Sequence, residues 1–146
     1  MAFGNSGWFV ANMIDVFDAT QLAIDLSLTT HKLALYTNTK TPNFSTDVSY
    51  NSTAEVSGTG YTAGGTAISG PTNTESPTGT QMYDLSDTTW STATISSIRG
   101  GEIYADALAG DNLIIAITFG ADYAVTAGTL TVQWAATGVG TIDWTP

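Results

Sequence analysis

Apolar positions along this chain follow two rhythms. Near the start, Trp8, Phe9, Asn12, Met13, Val16 and Phe17 recur at spacings of three and four, which predicts one short helix with its apolar residues on one side. Ser6 is placed to cap it, and Asp15 and Asp18 fall on the wetter face. From Leu22 the period becomes two. Leu22, Ile24, Leu26 and Leu28 alternate with Ala23, Asp25 and Ser27, as on a half-buried strand. KLALYT follows, with Leu33 and Leu35 on one face and Lys32, Ala34 and Tyr36 on the other. A long polar passage, TNTKTPNFSTDVSYNSTAEVSGTGYTAGG, then favours turns and an excursion over the surface, of the kind that is functional, covered by a partner or mobile.

Seven more strand segments are predicted: TAISG, TQMYDLS, TTWSTATISSI, GEIYADAL, NLIIAITF, TLTVQWAAT and VGTIDW. Turn signals separate most of them, among them Pro71, Pro77, Gly100 with Gly101, Gly110 with Asp111, Gly128 and Gly138. NLIIAITF is apolar on both faces and belongs at the centre of a sheet. TLTVQWAAT points Leu130, Val132 and Trp134 inward, with Thr131 and Gln133 outward. The expected fold is mainly β: a single-domain β-sandwich, jelly-roll-like or immunoglobulin-like, with one short N-terminal helix. Residues 1–21 are expected to form a helical contact segment and residues 22–146 the sandwich.

Charge narrows the partners. Thirteen Asp and Glu face only Lys32, Lys40 and Arg99, a formal net charge of -10. Such a surface repels nucleic-acid phosphates and anionic membranes, so neither is an expected partner. No apolar run approaches the roughly 20 residues that span a bilayer. The N-terminus has no basic residue before its apolar part, and a secretory signal is not expected. With no cysteine in the chain, disulfides, thiolate metal sites and Cys nucleophiles are absent.

The stretch GTGYTAGGTAISG at 58–70 contains the spacing of a dinucleotide-binding loop, with Gly58, Gly60 and Ala63 in the glycine positions. That loop requires a helix after it, whereas TAISGPT alternates and meets Pro71, so no cofactor is expected. Gly58, Gly60, Gly64 and Gly65 read instead as a turn through positive φ, and Tyr61 as an anchor laid on the sheet. His31 is the single histidine, with no nucleophile elbow anywhere, and is read as a turn residue rather than a catalytic or zinc-binding one. Asp84 with Asp87, and Asp106 with Asp111, offer carboxylate pairs for glycoside hydrolysis or calcium, but their positions at turns suit ordinary backbone capping. No catalytic residue, cofactor or metal is expected. Trp90 and Trp134 read as core, while Trp8, Phe9 and Trp144 near the ends are candidate subunit contacts.

Four phrases in order, KLALYTNTKTP, EVSGTGYTAGGTAISG, TTWSTATISSIRGGEIYADA and LIIAITFGADYAVTAGTLTVQWAATGVGTID, resemble a group of small tailed-bacteriophage virion proteins. The resemblance spans positions 22 to 143. It implies a β-sandwich with no catalytic residues, residing in the virion after synthesis in the host bacterial cytoplasm. Such proteins look like capsid decoration proteins in some phages and tail or fibre components in others. The first implies a cement protein on the major capsid protein, as a homo-oligomer (trimer or dimer). The alternative is a tail-fibre or adhesin module contacting the host surface.

Overall fold

The computed structural model describes residues 3–18, 22–76 and 79–144. In chain order its elements are β1 (Gly7–Trp8), α1 (Val10–Phe17), β2 (Lys32–Tyr36), β3 (Gly58–Thr59), β4 (Thr66–Ala67), β5 (Thr72–Ser76), β6 (Thr80–Asp84), β7 (Thr88–Ala105), β8 (Asn112–Val132) and β9 (Gly140–Asp143). All pairings are antiparallel. A six-stranded sheet runs β1-β8-β7-β2-β4, with β3 also on β7, and a second sheet runs β5-β6-β9. The protein is thus a mainly β sandwich with one short helix near its N-terminus.

The large sheet is covered on both faces, and β2 after Lys32 is accordingly buried on both. Leu33 and Leu35 enter a core with Ile95, Ile98, Ile103, Ile115, Trp90 and, from the small sheet, Tyr83. Ala34 and Tyr36 enter a second cluster on the opposite face with Phe3, Phe9, Tyr104, Leu113 and Ala116. Burying each of these large side chains contributes about 1.5–3 kcal/mol. Residues 113–116 are buried without alternation because β8 here lies between β1 and β7, as the two-faced apolar run predicts.

Four expectations change. Residues 22–28 form no strand: Ile24 and Leu26 do pack on the core, but Asp25 Oδ1 accepts from Ser27 N (2.9 Å) and Oγ (2.6 Å), and Leu28 N bonds Asp25 O (3.2 Å). Local turn bonds there replace a ladder. Gly100 and Gly101 lie inside β7 instead of ending a strand. A Cβ at Gly100 would stand 2.7 Å from the Phe3 ring, and one at Gly101 2.7 Å from Leu33 Cδ1, so glycine makes room for packing on both faces. Gly128 likewise lies within β8, making two continuous strands of the four predicted. Thr72–Ser76, too polar to read as a strand, pairs with β6 through five register positions.

The N-terminus is also built into the sandwich rather than set apart from it. Phe3 and Phe9 are buried in the second cluster, β1 pairs Ala116 and Ile115, and α1 packs on β8. Ser6 does not cap α1. Its Oγ accepts from Thr118 N at 2.8 Å, and Phe9 occupies the cap position without a side-chain bond. The helix is held instead by buried Asn12, whose Nδ2 donates to Val48 O (2.7 Å) and Leu113 O (2.8 Å).

Candidate functional site

In the passage from Thr37 to Gly65, Phe44 and Tyr50 pack on the second cluster and Val56 and Tyr61 on the first, and a single carboxylate organises its return. Glu55 Oε1 accepts from Tyr61 Oη (2.5 Å) and Gly64 N (2.7 Å), and Oε2 from Tyr50 Oη (2.6 Å). Tyr61 Oη in turn accepts from Leu35 N at 2.9 Å, so one phenol joins loop, corner and β2. Tyr104 Oη donates to Gly64 O (2.8 Å), and its ring stacks on Tyr50 with centroids 4.6 Å apart. Burial pushes the phenols of Tyr36, Tyr50, Tyr61 and Tyr104 well above their usual range, and bonding to Glu55 pushes those of Tyr50 and Tyr61 further. They remain donors at neutral pH.

The backbone at this corner has the predicted form. Gly58, Gly60, Gly64 and Gly65 all have positive φ. At Gly65 (φ 76°) an added Cβ would fall on the Leu33 carbonyl oxygen; at Gly60 (φ 77°) it would lie 3.0 Å from Ala93 Cα. Side chains are therefore excluded by conformation and by the approach of β2 and β7. Tyr61 is the anchor, its ring 6.2 Å from that of Trp90. Backbone amides here bond the protein's own carbonyls and Glu55, an internal joint and not a phosphate cradle.

Beside the corner, Glu102 is fully buried on β7, with Lys40 Nζ 3.4 Å from its Oε2. Neither of its oxygens has a well-formed hydrogen bond. Burial pushes this carboxyl up to about 7, Lys40 opposing and Asp47 adding to the rise. The Lys40 ammonium also lies 4.8 Å from the Tyr36 ring centroid. The pair fastens the start of the loop to the sheet.

Other polar candidates are engaged structurally. His31 is buried, its Nε2 2.7 Å from Asp25 O, and burial holds its imidazole below the usual range. Asp84 accepts from the adjacent Leu85 amide, as a turn carboxylate does, and Asp87 accepts from the distant amide of Trp134. Asp106 pairs with Lys32 at 3.0 Å. Among the described residues no group of three His, Asp or Glu is arranged to hold a metal ion.

The terminal aromatics divide. Trp144 is 56% exposed, its Nε1 donating to Gln81 Oε1 at 3.2 Å. Trp8 is half-buried, packed against Tyr83 and bonded through Nε1 to Thr141 O (3.2 Å). Phe9 has no exposed surface; it sits in the core against Phe44 and offers nothing to a partner, which corrects its reading as a contact. The helix instead displays Val10 (49%), Ile14 (59%) and Phe17 (71%), and Phe17 meets Trp144 edge-on with centroids 5.9 Å apart. The missed signal was the 10, 14, 17 spacing, itself one helical face. Together these residues form an exposed apolar face on an acidic molecule. Compared with protein-family models, curated proteins and solved structures, the chain matches none.

Proposed function

We propose that this protein is a non-enzymatic structural component of a tailed-bacteriophage particle, a decoration protein that docks on the assembled capsid lattice and stabilises it. The observation that carries this reading is the face of Val10, Ile14, Phe17 and Trp144. Exposed apolar residues that adjoin one another, two of them aromatic, form the kind of patch that anchors protein interfaces. The rest of the structure suits a passive role: tyrosines with the carboxylates of Glu55 and Glu102 tie the long loop to the sheet. Many modest contacts, repeated over a lattice, sum to strong retention. The four sequence phrases that resemble phage virion proteins point the same way.

Quantifying the protein in purified particles tests the station. Hundreds of copies per particle agree with decoration; a few copies overturn it in favour of a tail-fibre or adhesin module. Rebinding of Phe17→Ser and Trp144→Ser to stripped particles tests the face. Each variant is expected to lose about tenfold or more in affinity, with a melting temperature near that of the wild type because both side chains are largely exposed. Undiminished binding by both variants would refute the proposed face.

A further inference from the structure

The rim of the large sheet carries a second contact surface. Strand β7 is paired on both sides, by β8 and by β2 with β3, whereas β8 is covered on its outer side along residues 112–118, by the loop at Val48 and Ser49, by β1 with Phe9, and by Ser6 at Thr118 N. From Phe119 to Thr131 no other described strand pairs with it. Gly120 (φ 77°) and Ala127 (φ 45°) bracket six residues, 121–126, all exposed except half-buried Val125. Unpaired backbone donors and acceptors along such an edge invite another strand.

Protein edges of this kind are usually blunted by lysine, proline or inward charge. This one is not. Its single charge, Asp122, is neutralised by Arg99, whose Nε lies 2.7 Å from Oδ1 while Nη1 donates to Gly120 O at 2.9 Å. Residues 123–142 then contain no charged side chain, in a chain of net charge -10. Beside the edge lies a cleft of about 410 Å³ lined by Ile117, Phe119, Leu130, Trp134 and Val139. Tyr123, 52% exposed, stands at its margin.

We infer that the 121–126 edge of β8 pairs antiparallel, about a two-fold axis, with the same edge of a second copy of this chain. Two considerations select a second copy as the occupant. Two molecules that each carry -10 repel over most of their surfaces, and this is where they can approach without like-charge contact. An antiparallel edge also supplies, in its own copy, the complementary alternation of donors and acceptors, so a two-fold pair is self-complementary. Tyr123 of each copy then lies against the neutral, apolar margin of the joint. The inference concerns the isolated protein and stands apart from the capsid reading.

Light scattering during gel filtration of the purified chain tests it. The wild type is expected to shift from 15.2 kDa to twice that mass as concentration rises. Ala124→Glu, which puts a charge at the middle of the edge, is expected to remain at the single-chain mass, while uncharged Ala124→Thr dimerises as the wild type does. A wild type that stays at single-chain mass throughout overturns the inference, as does an Ala124→Glu protein that dimerises normally. Should Ala124→Glu fail to fold, amide exchange of the wild type decides: protection of 121–126 that appears with dimerisation supports the edge pair, and unchanged exchange refutes it. Dimerisation lost in Phe17→Ser but kept in Ala124→Glu would assign the copy interface to the helix face instead.

Discussion

At the scale of single residues, the structure uses buried polar groups as fasteners. Tyr61 is the clearest case: a phenol that accepts from a strand amide and donates to a loop carboxylate satisfies three groups at once, and bonds to charged partners are worth about 1.5–3 kcal/mol. Glu102 is the opposite case, a carboxylate whose burial disfavours its charge. Its folded pKa of about 7 lies above its ordinary value of 4.5. Between those pH values the folded chain keeps a proton that the unfolded chain releases, so its contribution is full below 4.5 and lost as pH rises through 7. Glu102→Gln removes that loss. The stability of this variant relative to wild type should therefore rise by about 1 to 3 kcal/mol between pH 4.5 and 8, as measured by urea denaturation at each pH. His31, depressed by burial, acts in the reverse direction, but it is common to both proteins and cancels in the difference.

Among the elements, α1 depends on a tertiary tether. It has no side-chain cap, only eight residues, and helices so short are unstable alone. Asn12 supplies what local sequence does not, by bonding the loop at Val48 and the sheet at Leu113. Asn12→Ala should lower unfolding free energy by about 2 kcal/mol, through loss of two hydrogen bonds from a buried site. Amide exchange should accelerate across residues 10–17 more than in β7, which separates loosening of the helix from global destabilisation. The long β7–β8 hairpin shows a related dependence. Positive φ at Thr92 and Ser97, with register shifts between Trp90 and Gly100, bends β7 so that Trp90, Ala93, Ile95 and Ile98 all turn inward. Strand β8, the outer partner, meets no further described strand from Phe119 to Thr131.

Over the whole molecule, charge and apolar exposure divide the surface. The net -10 keeps copies apart in general, so an association through the neutral β8 edge must overcome repulsion that salt screens. The dimer should therefore tighten, by about threefold or more, between roughly 20 mM and 200 mM salt, where the Debye length falls from about 20 Å to below 10 Å. Sedimentation equilibrium reads this directly. An interface built on opposite charges would weaken over the same range, so the sign of the salt effect distinguishes the two.

Much of this architecture is legible in the chain. Alternation separates the two buried faces of β2 and identifies the inward face of the end of β8, and an apolar run marks the centre of the sheet. Glycine spacing marks the corner at Tyr61, because only glycine adopts those backbone angles without a clash. These are local consequences of side-chain period and backbone sterics. Tertiary structure alone decided the rest. Residues 22–28 alternate correctly yet find no strand to pair with, polar 72–76 becomes a strand because β6 lies beside it, and Phe9 is buried while Phe17 is exposed because α1 is fixed by distant Val48 and Leu113. Periodicity records which way a side chain points, whereas ladder partners and the covering of a face depend on segments brought together from far along the chain.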